Sequence, residues 1–180
     1  VAAVHLGALP AESIRIAAWP FAAFALAVFV LQARAPYRRN AMLRAFWQSG
    51  CTALLLAGAL SAGEGASVIV IGTLVLGVGL PLLVVGMAME ITGFLTWIAL
   101  RQRVPRGVRV PGVGRLFDEA AKRRAFFAHV IAGALLASAT LVPALARIAG
   151  GALMLAYAVS LQALWRCWRL PATWQAPDPG

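Results

Sequence analysis

Long apolar runs alternate with short basic segments along the whole chain. Runs of a length suited to spanning helices occur at residues 16–31, 45–60, 66–100, 125–142 and 148–165. A bilayer core about 30 Å thick needs roughly 20 apolar residues in a helix, so the first two runs rely on their interfacial ends to complete the crossing. The pattern predicts an all-α integral membrane protein with five transmembrane helices, forming a single domain over residues 1–180.

The positions of the cations set the predicted orientation. With five spans, all of the 16 lysines and arginines except Arg15 and Arg147 fall on one side of the membrane. Because basic residues accumulate in cytoplasmic loops, the N-terminus is predicted outside and the C-terminus cytoplasmic, as a multi-pass protein of a bacterial-type inner membrane. The tryptophans fit two interfacial belts, with Trp19 at the outer one and the following at the inner one: Trp47, Trp97, Trp165 and Trp168. Splitting the third run into two spans would break this agreement and leave no polar loop.

The basic segment 101–124 is the one sizeable cytoplasmic loop in this topology. Its first part, VPRGVRVPGVGRLF, alternates Pro and Gly with Arg and is predicted to be irregular. The following DEAAKRRAFF indicates a helix start, because Asp118 and Glu119 suit a first helical turn. Five cations near the membrane are predicted to contact anionic lipid head groups: Arg101, Arg103, Lys122, Arg123 and Arg124.

The third run carries glycines at a spacing of seven: Gly65, Gly72, Gly79, Gly86 and Gly93. A spacing of seven returns to nearly the same helix face, with about 20° of drift per heptad. The row therefore predicts a groove in which a neighbouring helix lies along most of the length, from this chain or from another one. A fully helical run here would be about 54 Å long, so it must tilt, project into the interface, or kink or break near Pro81.

Composition supports a membrane class and changes the meaning of the charge. The chain is 62% hydrophobic and 12% charged, with a mean hydropathy of +0.83, whereas soluble domains are about a quarter charged. A net charge of +10 in a soluble protein would raise nucleic acid as a partner. Here the cations lie between apolar runs and not on one amphipathic face, so anionic head groups are the expected partner and nucleic acid is not.

Glu90 is the first candidate for chemistry. It lies inside the third run, four residues after Gly86 and three before Gly93, so it is expected to face protein beside the glycine groove. An intramembrane acid in this position indicates a proton or cation relay or an acceptor for a polar ligand such as a quinone or an amine. The alternative is a protonated acid that hydrogen-bonds a neighbouring helix.

His129 is the second candidate, near the inner end of the fourth run. It could pair with Glu90 or ligate a haem, although His5, the other histidine, is predicted on the opposite side. The two cysteines, Cys51 and Cys167, form no metal or redox motif and are expected to be packed or lipidated free thiols. Haem and quinone remain open as cofactors.

Sequence motifs that would indicate catalysis are absent from the chain. It has no Ser/His/Asp or Cys/His set, no acidic cluster for Mg²⁺, no phosphate-binding glycine loop and no metal-ligand spacing. The leading hypothesis is a non-catalytic or accessory subunit of a larger membrane complex of respiratory or photosynthetic type, with other membrane subunits as partners. The alternatives are a small proton-coupled transporter and a haem- or quinone-binding electron-transfer unit that use Glu90 and His129.

Overall fold

A computed structural model describes residues 11–34, 41–63, 67–105 and 110–174, with side chains from Trp19 onwards except that of residue 21. These residues form helices joined by short connections, with no strand among them. The helices are α1 (Ala11–Arg34), α2 (Ala41–Ala62), α3 (Val68–Arg103), α4 (Val113–Leu116), α5 (Glu119–Ala139) and α6 (Ala146–Thr173).

Two antiparallel helix pairs pack against the long α3. Helix α1 lies along α2, and α5 lies along α6, while α3 contacts α2, α5 and α6. One cluster of buried apolar side chains joins α2 to α3 and to the α5–α6 pair, around Phe46, Leu82, Val85 and Met89. A second cluster joins α1, α2 and α3 through Ala25, Cys51, Leu54 and Leu83. The third helix is therefore the common partner of both pairs.

Three helices in the described ranges are long and apolar enough to cross a membrane. They are Ala41–Ala62, Val68–Arg103 and the run Pro143–Thr173, and a shorter apolar helix occupies Ala22–Arg34. Helix α5 falls outside this group because Glu119, Lys122, Arg123 and Arg124 are concentrated at its start. The chain is thus an all-helical protein with membrane-spanning character, as the hydropathy pattern predicted.

The third helix continues through Pro81 without a break. It begins after Ser67, whose side-chain oxygen accepts a hydrogen bond from the Ile69 N–H, and contains a π-helical segment at Thr73–Gly79. At the end of this segment the Leu80 N–H bonds the Val75 carbonyl, five residues back. Pro81 has no N–H to offer the Gly77 carbonyl, and its ring crowds the preceding turn, so a widened turn just before it relieves the conflict.

The fourth predicted span and the basic loop differ from expectation in detail. Helix α5 starts at Glu119, after the Asp118 cap that accepts from the Ala120 N–H, and ends at Ala139 instead of 142. Pro143 keeps Val142 out of the helical conformation, so the chain leaves the helix early. The loop predicted to be irregular contains the short helix Val113–Leu116, whereas residues 106–109 lie outside the described residues.

Candidate functional site

Glu90 lines a cavity of about 220 Å³ that is walled by α2, α3, α4 and α5. Its side chain is half-buried and shares this cavity with Lys122, the only lysine of the chain. The remaining lining residues are Leu43, Met89, Gly93, Val113, Gly114 and Phe117. An acid and an amine thus face one small, otherwise apolar space.

Lys122 is placed differently from the lipid-facing position predicted for it. Its side chain is only 1% exposed, and its ammonium donates to the Glu119 carboxylate at 3.2 Å while lying 5.8 Å from the centre of the Phe117 ring. The helical spacing explains this burial: Lys122 lies on the same face of α5 as Ala125, His129 and Ala132, which pack inward. Lys122 therefore faces the protein interior and does not point outward towards lipid.

Glu119 connects this buried amine to the surface. Its carboxylate is 53% exposed and sits one helical turn before Lys122. The three groups Glu119, Lys122 and Glu90, called here the acid–amine cluster, run from an exposed carboxylate through a buried ammonium to an acid within the long third helix. This arrangement could pass a proton or hold a small charged ligand, because it alternates acceptors with a donor.

His129 is buried and engaged with α6, not with Glu90. Its Nε2 lies 3.1 Å from the Ser160 hydroxyl oxygen, and its ring meets Tyr157 edge-on at 5.1 Å between centroids. Because the Ser160 hydroxyl donates its proton to the Ala156 carbonyl, the Ser160 oxygen accepts from Nε2–H. Nδ1 then remains a buried acceptor without a hydrogen bond from any described residue.

These contacts give His129 a structural role in joining α5 to α6. It does not line the cavity that Glu90 shares with Lys122. The pair with Glu90 that the sequence allows is not a hydrogen bond within the described residues, because Nε2 bonds Ser160 and Nδ1 bonds no described group. His5, its predicted counterpart, lies outside the described residues.

A neighbouring helix approaches the glycine row closely over only part of its length. A Cβ at Gly86 would lie 2.9 Å from Phe46 Cβ, and one at Gly79 would lie 2.8 Å from Leu54 Cδ2, so both glycines admit α2 closely. A Cβ at Gly93 would make an ordinary contact of 3.8 Å with Val113, and one at Gly72 would meet nothing within 4 Å. Gly65 lies outside the described residues. The close helix contact is therefore confined to the middle of α3, contrary to the expectation that it follows most of the helix.

The other predicted head-group cations are exposed. They are Arg101, Arg103, Arg123 and Arg124. Arg101 stacks its guanidinium 5.2 Å from the centre of the Trp97 ring. Arg124 lies 3.8 Å from the Asp118 carboxylate and donates from Nε to the Ala120 carbonyl at 3.3 Å.

Two polar contacts at the C-terminal ends of α3 and α6 are not predicted by the sequence. Pro171 lies within α6 and has no N–H for the Cys167 carbonyl, and the buried Thr96 hydroxyl of α3 donates to that carbonyl at 3.2 Å. Arg103 Nη1 then donates to the Pro171 carbonyl at 3.0 Å. Pro171 is the sequence feature that could have indicated these contacts. A proline inside a helix leaves one backbone carbonyl without its helical N–H, and some other group must satisfy it.

No group of three or more His, Cys, Asp or Glu side chains within the described ranges is arranged to hold a metal ion. Both cysteines are buried free thiols.

Comparison with known proteins gives no assignment for this architecture. No protein-family model matches the chain, no curated protein is significantly similar to it, and no solved structure matches its fold significantly.

Proposed function

We propose that the chain is a five-span protein of a bacterial-type inner membrane that acts as a non-catalytic or accessory subunit of a larger membrane complex, of respiratory or photosynthetic type. In this proposal the N-terminus is outside, the C-terminus is cytoplasmic, and the basic loop 101–124 meets anionic head groups. Partner subunits pack against faces of α3 and α6 that the chain itself leaves uncovered.

Helix pairing supports five spans. Helices α1 and α5 lie along α2 and α6, which are themselves long and apolar enough to cross. The apolar part of α5, residues 125–139, is about 22 Å long, so its charged first turn would lie in the interface. Antiparallel partners of this kind cross the same layer, because a helix end left inside the bilayer would expose unsatisfied backbone groups.

The observation that carries the subunit role is a set of uncovered glycines on outward-facing helix surfaces. Among the described residues, Cβ atoms at Gly72, Gly150 and Gly151 would meet nothing within 4 Å. In lipid, small residues let a second helix approach closely, whereas contact with lipid alone gives no reason for them. Helix α6 also has much free surface. Of its most apolar stretch of 18 residues, 17% are buried, compared with 44% for the corresponding stretch of α2.

The test combines mild extraction with a bulky substitution at one uncovered glycine. Gly151→Leu should reduce co-purification of partner chains at least several-fold. The thermal stability of the isolated chain should be unchanged or slightly raised, because a Cβ at this position meets no described residue and leucine has the higher helix propensity. Leu161→Phe is the matched control, because it enlarges an exposed apolar side chain on the same helix. A wild-type chain that is monomeric with no co-purifying partner after mild extraction would refute the proposal.

The acid–amine cluster favours a second candidate, a small proton-coupled carrier. Glu90 lies within the most apolar helix, and the buried Lys122 links its cavity to the exposed Glu119. Intramembrane acids that face protein cavities commonly belong to proton or substrate pathways. Here Glu90→Gln should abolish flux or its pH dependence in proteoliposomes, with Glu64→Gln as a control for loss of an acid elsewhere. Unchanged flux and pH profile in Glu90→Gln would eliminate this candidate.

A further inference from the structure

A cavity of about 290 Å³ lies between the last turns of α3 and α6. Two arginines, Arg103 and Arg169, and two tryptophans, Trp165 and Trp168, line it together with Leu95, Thr96, Ala99, Pro171 and Ala172. No acidic side chain is among these lining residues, so within the described part of the chain no acid in the wall offsets the two positive charges. We propose that this cavity binds the phosphate of an anionic phospholipid from the adjoining leaflet.

Both guanidinium groups are already held in place. Arg103 is fixed by its hydrogen bond to the Pro171 carbonyl, and the Arg169 guanidinium lies 4.7 Å from the centre of the Trp165 ring. Each guanidinium carries five N–H donors, and these contacts leave most of them for a ligand. Binding therefore costs less side-chain ordering than it would for free surface arginines, and a phosphate can be held by paired N–H groups.

The apolar part of the cavity identifies a lipid and not a free anion as the occupant. Leu95, Ala99 and Trp165 provide an apolar wall, and Leu95 and Trp165 are 43% and 54% exposed. Both helices are long and apolar enough to span, so their adjoining last turns lie at one interface, where an acyl chain can follow the apolar wall while its phosphate meets the arginines. Basic pockets between spanning helices are suited to this kind of head group.

A second basic cavity, of about 260 Å³, is the weaker candidate. It is lined by Arg124 and Arg166 with Ala121, Val159, Gln162 and Ala163. The Arg124 guanidinium lies 3.8 Å from the Asp118 carboxylate, which offsets its charge. Among the residues that the structure describes, the cavity at Arg103 and Arg169 has no such acid in its lining, and two tryptophans line it.

The lipid site rests on membrane insertion and not on the subunit role, so it can be tested on the purified full chain. Native mass spectrometry with phosphatidylglycerol and phosphatidylcholine in equal amounts should show preferential retention of phosphatidylglycerol. Arg103→Gln and Arg169→Gln should each lower that retention about tenfold, as expected for loss of a charge-assisted hydrogen bond. Trp165→Leu should lower it less, because it removes the ring that positions Arg169.

Arg101→Gln is the matched control. Arg101 is exposed on the same turn of α3 and also stacks on a tryptophan, but it does not line the cavity. Its replacement should lower retention far less than either cavity variant, because Arg101 meets head groups only as an exposed surface cation, and excess inorganic phosphate should not displace the lipid. Equal losses in all three arginine variants would mean diffuse charge attraction and overturn the site. The lipid site would also be overturned if phosphatidylglycerol were not preferred or if inorganic phosphate displaced it. Failure of the subunit role in the co-purification assay would leave the lipid site unaffected.

Discussion

Gly86 and Gly93 are one heptad apart in α3 and have different surroundings. Gly86 faces Phe46 Cβ, an atom attached directly to the backbone of α2, whereas Gly93 faces Val113 in the short helix α4 at ordinary contact distance. A Cβ atom so close to its own backbone cannot move away by a rotamer change. Absence of a side chain is therefore required at Gly86 and merely tolerated at Gly93.

Alanine substitution should separate these two glycines. Gly86→Ala is expected to destabilise the protein by about 1–2 kcal/mol, because overpacking of about 1–3 kcal/mol exceeds the gain in helix propensity of up to about 1 kcal/mol. Gly93→Ala should be neutral or up to about 1 kcal/mol more stable for the same propensity reason. Unfolding in detergent micelles, followed by circular dichroism, measures both. Equal responses of the two variants would contradict a contact confined to the middle of α3.

The residues of α5 show which contacts could be predicted from the sequence and which could not. The spacing of Ala121, Ala125, Ala132 and Gly133 marks a face of small residues, and Lys122 and His129 lie on or next to that face. Small residues on one helical face indicate close packing in a membrane, so the burial of both polar residues was predictable in principle. The burial of Lys122 was hard to recognise because the lysine lies beside Arg123 and Arg124 and has the same charge as these exposed arginines. The partner of His129, Ser160, required the pairing of α5 with α6 and could not be read from local sequence.

The π-helical segment Thr73–Gly79 explains why the glycine row does not contact α2 in the N-terminal part of α3. It lies between Gly72 and Gly79, and its wider turns advance fewer degrees per residue than an α-helix does. Seven residues of this geometry do not return to the starting face, so Gly72 is rotated away from the side on which Gly79 meets α2. A heptad argument assumes uniform helical turns, and Pro81 was the local sign that the assumption would fail.

Replacing Pro81 by alanine should restore regular helix before it. The new N–H at position 81 can bond the Gly77 carbonyl, and the change from five-residue to four-residue hydrogen bonds should propagate back through Leu80. Amide hydrogen exchange over residues 76–81 is therefore expected to slow at least several-fold. Val84→Ala is the control, since it removes exposed side-chain volume nearby and alters no backbone donor. Unchanged exchange in Pro81→Ala would show that the wide turns have another cause.

On the scale of the whole molecule, the apolar runs predicted helix positions well. Each of the runs at 45–60 and 148–165 lies inside a helix that extends beyond it at both ends, because apolar length marks the bilayer core and not the interfacial turns. Crossing number is harder to read, since α5 carries its charges within its first turns and α1 has a short apolar part. The cavity between the ends of α3 and α6 is formed by residues that are far apart in the sequence, so no local sequence pattern predicts it.

Cysteine labelling in intact cells should test the five-span topology. Gly63→Cys and Leu141→Cys place exposed thiols on the predicted outer side, and Gly112→Cys places one in the predicted cytoplasmic loop. The first two should react with a membrane-impermeant maleimide, and the third only after permeabilisation. Cys51 and Cys167 are 0% and 3% exposed, so background from them should be low. Labelling of position 112 in intact cells, or protection of position 141, would contradict the proposed crossings.

Burial of Lys122 also gives the chain an unusual chemical property. The protein has a single lysine, and its ammonium is packed against Glu119 and the Phe117 ring. Amine-directed acylating reagents should therefore find no reactive side chain while the start of α5 stays packed. The rate of acylation of Lys122 would therefore measure the rate at which that helix end opens. One residue thus reports local unfolding at the acid–amine cluster.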